Sequence, residues 1–392
     1  MKRVLIVSQV IPQWYVDTLC AALGEDTQVD IITGSTVSGG NVTVIPSPQH
    51  DPRSMRSRLV CWYKHWVFLS RWAKKNRKIC YDMIFAVSNP PVNSFLGLKL
   101  KKRFHAPFVY MNWDLYPQLI AYSIRNPLVQ AVCRMWSRWN RRHYPEIDRM
   151  LTIGNVMAKS ACDGSELDVD VIPIAVDCKR LTPIAKADNP FCRQYDLCDK
   201  FVVLYSGKMG RGHNIDVILE AATKLKERQD IRFVFIGEGE RYADVEAFVD
   251  TYDGDNVLLL PLQSEEVFPY SMACGDIGIV SQEETMAHLF MPSKTYSMMA
   301  CGQAIVGVCT QDDDLYRLID ARSIGRAVTN NKADELVSVI EELYGNAEKL
   351  NACKETARSV AEKEYDLSVI TEKYRRLFAN VMGVTKDESV VR

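Results

Sequence analysis

Short apolar runs alternate along the chain with longer stretches in which apolar and polar residues recur at helical spacing. This alternation is typical of α/β proteins, in which each buried strand of a parallel sheet is followed by a covering helix. In the first half it predicts strands at Val4–Val7, Val29–Ile32, Met83–Ala86, Phe108–Met111 and Met150–Ile153. In the second half it predicts strands at Phe201–Tyr205, Ile231–Ile236, Val257–Leu260, Ile277–Val280 and Ala304–Val308, with a helix from about Ile215 to Glu227.

The pattern is interrupted after 171–177, where a polar, proline-bearing stretch runs to Pro190. A chain of 392 residues is too long for one ordinary core and suits two domains. We therefore predict Rossmann-like domains at residues 1–178 and 179–365. After an acidic helical run, Ala333–Glu364, we predict a last helix at Ser368–Met382. The segment 366–392 is expected to return to the first domain and to end in a polar tail.

The composition is that of a soluble globular protein, with 47% hydrophobic and 25% charged residues. Met1–Val7 reads as a first strand, because it is too short for the core of a signal peptide. No apolar run approaches the ~18 residues that a membrane-spanning helix needs. The 12 cysteines and six histidines are scattered, so we expect reduced cysteines and no metal site or cofactor.

Charge is distributed unevenly, although the formal net charge of the whole chain is only −1. Residues 1–180 carry 24 Lys and Arg against 14 Asp and Glu, and within 52–142 the only acids are Asp82 and Asp114. A basic segment of this kind favours an anionic partner, which could be a phosphate, a membrane surface or a nucleic acid.

One predicted strand-to-helix loop, 205–214, combines glycines with cationic side chains. Glycines let the backbone approach a phosphate, and a following helix offers free N–H groups. Gly207, Lys208 and Arg211 would bind the phosphate, with His213 as a weaker donor. The loop has neither the Walker A nor the G-x-G-x-x-G spacing. The alternative is a tight turn with solvated charges.

Two further segments of the second half could belong to the same site. Gly237-Glu238-Gly239 follows the next strand, where it could form either a close turn at the ligand or a plain turn. The segment 291–302 predicts a short helix that begins at Pro292 and stops at Gly302. Ser293 and Lys294 at its start would suit a diphosphate, unless Ser293 merely caps the helix and Lys294 is solvated.

Asp114 lies at the predicted carboxyl end of a strand in the basic first half. Ligands of such sheets bind at this edge, and a catalytic or acceptor-orienting carboxylate would lie there. The alternative is an ordinary helix cap or turn residue.

Two stretches of the first half, 62–72 and 134–142, mix aromatic and basic side chains. Trp and Tyr favour the lipid headgroup layer, and Lys and Arg favour anionic lipid. The same mixture could stack single-stranded nucleic acid, but no RNP, KH or helix-turn-helix pattern accompanies it. The remaining alternative is an amphipathic helix with a packed aromatic face. The tryptophans concerned are Trp62, Trp66, Trp72, Trp136 and Trp139.

Taken together, these segments resemble the retaining glycosyltransferases of family 4 (group 1), which have the GT-B fold. The resemblance is clearest from 171 to 310, where 172–177 looks like the interdomain "P-N-G-V-D" segment and 300–306 like the "A-C-G-x-P-V-I" stretch. Three shorter segments are similar to the O-antigen and capsular polysaccharide branch: Ser88-Asn89-Pro90-Pro91, Asp114-Leu115-Tyr116-Pro117 and Pro292-Ser293-Lys294.

The resemblance implies two α/β domains that face a cleft and a metal-independent transfer of sugar from a nucleotide-sugar. Lys208 matches the family's diphosphate-binding Arg and His213 its partner Lys. The other donor-binding positions would be Gly207, Arg211, Gly237, Glu238, Ser293, Lys294 and Ser297. Asp114 would face the acceptor, which is a polyprenyl-diphosphate-linked oligosaccharide. The aromatic, basic helices would dock on the cytoplasmic, inner face of the plasma membrane, and no nucleic acid is expected.

The sequence also departs from the family pattern. Of the two glutamates of the E-x7-E signature, the second falls on Ser297 and the first near Leu289, while Glu283 and Glu284 are out of register. The second glutamate holds the nucleotide ribose in the family. A catalytically silent GT-B protein that docks on membranes is therefore one alternative function. A nucleotide-sugar epimerase of the same fold is another.

Overall fold

The computed structural model describes residues 1–51, 54–162, 167–210, 212–329 and 332–383. They divide into two compact units, of which the second is Ile174–Leu367. The first unit consists of Met1–Pro173 together with the described residues from Ser368 on. Each unit is built on one parallel sheet, as the apolar runs predicted.

The first boundary falls after Pro173, earlier in the chain than the predicted boundary at 178, and the second falls after Leu367 rather than 365. Backbone hydrogen bonds explain both shifts. The N–H of Val176 donates to the carbonyl of Tyr365 at 2.9 Å, and the N–H of Leu367 donates to the carbonyl of Val176 at 3.0 Å. These bonds tie the segment after Pro173 to the second unit.

The sheet of the first unit has the strand order β3-β2-β1-β4-β5-β6-β7. Its central strands β4 and β5 are buried along their whole length, which is why they appear in the sequence as unbroken apolar runs. The edge strands β3 and β7 contain no fully buried residue and were not predicted. The strands are β1 (Lys2–Val7), β2 (Thr27–Thr33), β3 (Val42–Pro46), β4 (Met83–Val87), β5 (Phe108–Asn112), β6 (Arg149–Thr152) and β7 (Val169–Val171).

Helices connect these strands and cover the sheet. They are α1 (Gln13–Leu23), α2 (Met55–Lys75), α3 (Asn93–Phe104), α4 (Gln118–Ser123), α5 (Pro127–His143) and α6 (Asn155–Cys162). In this sheet the strand order reverses between β1 and β4. The carboxyl ends of the strands beside that point are where ligands of such sheets bind.

The sheet of the second unit has the order β10-β9-β8-β11-β12-β13, and the reversal lies between β8 and β11. All of the strands predicted here are present, and the short, half-exposed β13 is an addition. The strands are β8 (Phe201–Lys208), β9 (Ile231–Glu238), β10 (Val257–Pro261), β11 (Ile277–Ser281), β12 (Ala304–Val308) and β13 (Gly325–Val328).

The helices of the second unit are α7 (Pro190–Gln194), α8 (Asp216–Lys224), α9 (Tyr242–Thr251), α10 (Phe268–Met272), α11 (Lys294–Ala300), α12 (Asp314–Arg322), α13 (Ala333–Gly345) and α14 (Ala347–Val360). A 3₁₀ turn covers Glu284–Leu289, and one π turn covers Ala361–Tyr365. Apolar side chains of α8 and α13 are buried together with those of β8 and β9 in one core.

After the second unit the chain continues into α15 (Leu367–Gly383), which packs on the first unit. Tyr374 and Phe378 are each 1% exposed and contact the ring of Phe85. The hydroxyl groups of Tyr374 and Tyr15 lie 2.8 Å apart and form a buried hydrogen bond. The first unit is therefore assembled from both ends of the described chain.

Candidate active site

The loops that follow β8 and β9 pack backbone against backbone at the carboxyl edge of the second sheet. A Cβ on Gly237 would lie 1.9 Å from the carbonyl oxygen of Gly207, and a Cβ on Gly239 would lie 2.5 Å from that of Met209. The N–H of Met209 donates to the carbonyl of Glu238 at 2.7 Å. Only glycine permits this approach, which brings the two predicted glycine loops to one place.

Arg241, which sequence reasoning missed, holds these loops together. Its guanidinium bonds to both carboxylate oxygens of Asp216 and to Asp244, and its backbone N–H donates to the carbonyl of Met209 at 2.9 Å. It therefore fixes the start of α8 against the start of α9. The available signal was its position, two residues after Gly237-Glu238-Gly239.

Lys294 reaches this edge from α11. Its Nζ lies 3.7 Å from the centroid of the Tyr205 ring and 3.5 Å from the carbonyl oxygen of Lys208. Its Cε would be 3.4 Å from a Cβ on Gly207. The structure thus brings together Gly207, Lys208 and Lys294. The aromatic support from Tyr205 was not predicted.

The helix that carries Lys294 begins at that residue, so the predicted start at Pro292 is wrong. The carbonyls of Pro292 and Ser293 accept bonds from Thr295 and Tyr296, three residues on, which is a 3₁₀ arrangement that precedes the helix. Ser293 is exposed and has no capping hydrogen bond through its side chain, so the alternative of a serine cap is not realised either.

The electrostatics of the site are set by burial. Lys294 is half-buried, and desolvation lowers the pKa of its ammonium to about 7. Burial, followed by the charge of Lys294, lowers the pKa of His213 to about 4. The Nδ1 of His213 donates to the carbonyl oxygen of Ser281 at 2.8 Å. His213 is therefore neutral near pH 7, with Nε2 as an acceptor, whereas the sequence suggested a weaker donor to the phosphate.

The remaining predicted donor-binding residues differ in their placement. Lys208 and Glu238 are exposed at the ends of β8 and β9, and Ser297 is half-buried within α11. Arg211 lies outside the described residues. The two lysines of the region are therefore Lys208 at the surface and Lys294 within, with Glu238 exposed beside them.

Two hydroxyl groups at or near this edge lack a hydrogen-bond partner among the described residues. Ser281 ends β11 and Thr295 follows Lys294, and their hydroxyl oxygens are buried without a hydrogen-bond partner in the part of the chain that the structure describes. Buried polar atoms are nearly always paired, so these two hydroxyl groups have the capacity to bond a ligand or an ordered water molecule. Nearby, burial raises the pKa of the Glu283 carboxyl, whose backbone N–H donates to the carbonyl of Gly212.

In the first unit, Asp114 follows β5 at the carboxyl edge of the sheet. Its backbone N–H and that of Trp113 donate to the hydroxyl oxygen of Ser88, at 3.3 and 3.1 Å, and Ser88 follows β4. Burial and then the charge of Asp114 raise the pKa of the Tyr116 hydroxyl. The loops after β4 and β5, both singled out in the sequence, are therefore joined here.

The five tryptophans of α2 and α5 fall into two groups. Trp62, Trp66 and Trp136 line an apolar groove of about 640 Å³. Trp72 contacts the ring of Phe104 at 6.1 Å, and Trp139 stacks on Phe95 at 3.8 Å, so this pair packs against α3. The groove also contains apolar residues that the aromatic pattern had not pointed to, such as Leu59 and Val132.

Two further properties of the described residues concern membrane spanning and metal binding. None of their helices has both the length and the apolar character needed to cross a bilayer. Among the same residues, no three His, Cys, Asp or Glu side chains are arranged to bind a metal ion.

Comparison with known proteins agrees with the fold. Residues 194–360 match the family model described as glycosyl transferases group 1. The chain is 25% identical over 372 residues to the probable glycosyltransferase WbjE of Pseudomonas aeruginosa, covering 89% of this chain and 90% of that protein. It is 26% identical over 238 residues to the putative colanic acid biosynthesis glycosyl transferase WcaI of Escherichia coli K12, covering 59% and 58%.

Solved structures share the fold over the whole length. A sucrose-phosphate synthase from Thermosynechococcus elongatus has a TM-score of 0.79 at 15% identity, covering 98% of this chain and 100% of that one. Anabaena HepE in complex with UDP-glucose has a TM-score of 0.71 at 14% identity, covering 97% and 100%. The protein has the GT-B fold. Residues 194–360 match the group 1 glycosyltransferases, so the predicted resemblance to that group is confirmed.

Proposed function

We propose that this protein transfers one sugar, with retention, from a UDP- or GDP-linked donor to a lipid-linked oligosaccharide during the synthesis of a surface polysaccharide. The observation that carries the proposal is the cluster of Lys294, Lys208 and the two glycine loops at the carboxyl ends of β8 and β9. Two similar proteins support it, since HepE is described in complex with UDP-glucose and WcaI is named for the biosynthesis of colanic acid.

In this proposal the second unit holds the diphosphate. The bond between the anomeric carbon and the diphosphate breaks with its electrons going to the diphosphate. The acceptor hydroxyl oxygen bonds to that carbon as its proton passes to the departing diphosphate oxygen. Lys208 and Lys294 would stabilise the charge that develops on the leaving group, which is an electrostatic task that needs no metal. The buried hydroxyl groups of Ser281 and Thr295 are available as additional donors.

The first unit receives the acceptor. Asp114 would orient the acceptor hydroxyl, because it lies at the carboxyl edge of the sheet on a loop that Ser88 fixes. The helices α2 and α5 contain ten Arg and Lys but no Asp or Glu. A surface of this composition favours the anionic, cytoplasmic face of a membrane, where each basic residue near the surface adds about 1 kcal/mol.

Nucleotide binding and turnover test the proposal. Thermal unfolding with UDP, GDP, CMP and ADP should show a shift with one of them, and ligand at 100 times its Kd adds about 2.7 kcal/mol of stability. The Lys208→Ala variant should lose that shift and turn over about 10²–10³-fold more slowly. Lys226→Ala, which removes another Lys of the same unit that pairs with Asp253, is the matched control and should behave like the wild type. Near-normal turnover by Lys208→Ala would refute the diphosphate role.

A second candidate is a catalytically silent GT-B protein that acts as an assembly partner on membranes. It is favoured by Ser297 and the buried Leu289, which lie where the family has its two glutamates. The same experiment separates the two candidates. Sugar transfer by the purified protein excludes the silent one, whereas the absence of any nucleotide shift favours it.

A further inference from the structure

The first unit contains an apolar groove between α2, α4 and α5 that the transfer chemistry does not use. Its volume is about 640 Å³, within the range of sites that enclose a small organic molecule. Its walls are aliphatic and aromatic, with Leu59, Trp62 and Tyr63 from α2 and Val132 and Trp136 from α5. A groove with walls of this kind selects a hydrocarbon ligand.

The rim of the groove is apolar and exposed. Leu59 is 52% exposed, Val132 53% and Leu128 78%, although all three are aliphatic. Over its 17 residues α5 buries only Cys133 and Asn140. Adjacent apolar side chains left in water on two neighbouring helices mark a surface that a ligand covers.

One end of the groove reaches the edge of the sheet that carries Asp114. The ring of Trp62 contacts that of Tyr116 at 6.1 Å, and Tyr116 lies two residues after Asp114. On the other side, Nδ2 of Asn140 in α5 donates to the carbonyl of Tyr116 at 3.0 Å. The groove therefore adjoins the loop to which the acceptor was assigned.

The charge around this junction suits an anionic head group. Two opposite charges act on the Tyr116 hydroxyl, that of Asp114 and, less strongly, that of Arg58 in α2. The helices α2 and α5 that flank the groove carry ten Arg and Lys and no acidic residue. An amphiphile with a phosphate at its head and a hydrocarbon chain behind it matches both features. A protein helix or a second copy of the chain would match the apolar walls but not this arrangement.

We propose that the groove binds the hydrocarbon chain of the lipid-linked acceptor, so that its anionic head group lies beside the Asp114–Tyr116 loop. This inference rests on the proposed function for the identity of the lipid. It assigns to α2, α4 and α5 the recognition of one lipid molecule, which is distinct from adsorption of the same helices to a membrane surface.

The chain offers two matched pairs for a test in the full-length protein. Leu59 lines the groove, whereas its neighbour Val60 is 50% exposed and does not; Val132 lines it, whereas Met135 is 65% exposed and does not. Each is changed to Gln, which keeps the charge constant. Binding of farnesyl diphosphate is followed by tryptophan fluorescence, because Trp62 and Trp136 line the groove.

Leu59→Gln and Val132→Gln are expected to weaken farnesyl diphosphate binding by about tenfold or more, since an amide placed against a hydrocarbon chain loses its water. Val60→Gln and Met135→Gln should bind it like the wild type, and inorganic diphosphate should bind more weakly than farnesyl diphosphate. Vesicles of phosphatidylglycerol should bind all four variants to a similar extent.

Four results would overturn the inference. Equal losses of farnesyl diphosphate binding in groove and control variants would show general adsorption, as would equal affinity for inorganic diphosphate. Groove variants that lose vesicle binding but keep farnesyl diphosphate would mark a bilayer-inserting face. Groove variants that change the oligomeric state in size-exclusion chromatography would mark a contact between copies. UDP and GDP binding, measured in parallel, tests the proposed function separately, because a protein that binds neither nucleotide can still bind farnesyl diphosphate.

Discussion

The depressed pKa of Lys294 leads to a specific dependence of nucleotide binding on pH. In the free protein this pKa is lowered to about 7 by burial, so the ammonium form is half-populated at pH 7 and becomes scarce above it. A bound diphosphate favours the charged form and raises the pKa, so that binding takes up a proton. Affinity should therefore fall as pH rises through and beyond about 7.

The magnitude follows from the fraction of protein that can bind. If only the protonated form binds, the apparent Kd is the intrinsic Kd divided by that fraction. With a pKa of about 7 the fraction is about 0.5 at pH 7, about 0.09 at pH 8 and about 0.01 at pH 9. The apparent Kd should increase about fivefold from pH 7 to 8 and about tenfold more from pH 8 to 9.

Isothermal titration calorimetry with UDP or GDP measures this dependence, and buffers of different ionisation enthalpy count the proton taken up. Lys294→Arg is the control, because a guanidinium stays charged throughout this range and experiences the same titration of the ligand. We expect a flat profile for Lys294→Arg. A wild-type profile that is flat from pH 7 to 9, or an Arg variant with the same slope as the wild type, would refute the role assigned to Lys294.

Two further predictions concern stability. Gly237→Ala should lower the free energy of unfolding by about 3 kcal/mol or more in urea, because its Cβ would lie 1.9 Å from the Gly207 carbonyl oxygen. Gly345→Ala, which meets nothing within 4 Å, should not destabilise, and equal losses in both variants would contradict the reasoning. Tyr374→Phe should cost about 1–2 kcal/mol by leaving the buried hydroxyl of Tyr15 unpaired. The double variant with Tyr15→Phe should recover part of that loss, and simple additivity would argue against the hydrogen bond.

The α/β fold was predictable because the central strands are buried on both faces. β4 and β5 appear in the sequence as short runs of consecutive apolar residues rich in β-branched and aromatic side chains. The edge strands β3, β7 and β13 escaped prediction for the opposite reason. They are half-exposed and short, so their stability comes from pairing with a neighbouring strand rather than from a local pattern.

The site was predictable in its glycines and cations but not in its geometry. Gly207 and Gly237 stand out in the sequence because each follows an apolar strand. Two contacts join residues that are far apart in the chain. They are the contact of the Lys294 ammonium with the Tyr205 ring and the hydrogen bond from His213 to Ser281. These contacts arise only when β8, β11 and α11 are packed together, and the burial that accompanies this packing decides which side chains are charged at neutral pH.

The placement of α15 has a consequence for the order in which the protein folds during synthesis. Tyr374 and Phe378 cover Tyr15 and Phe85, yet the ribosome makes them only after the whole of Ile174–Leu367. At about 5–20 residues per second this leaves the apolar face of the first unit uncovered for about ten seconds or more. During that interval the nascent first unit resembles a partly folded client, with exposed aromatic surface that a chaperone can hold. We expect a chain truncated before α15 to bind chaperones and aggregate, while its second unit folds as it does in the full-length protein.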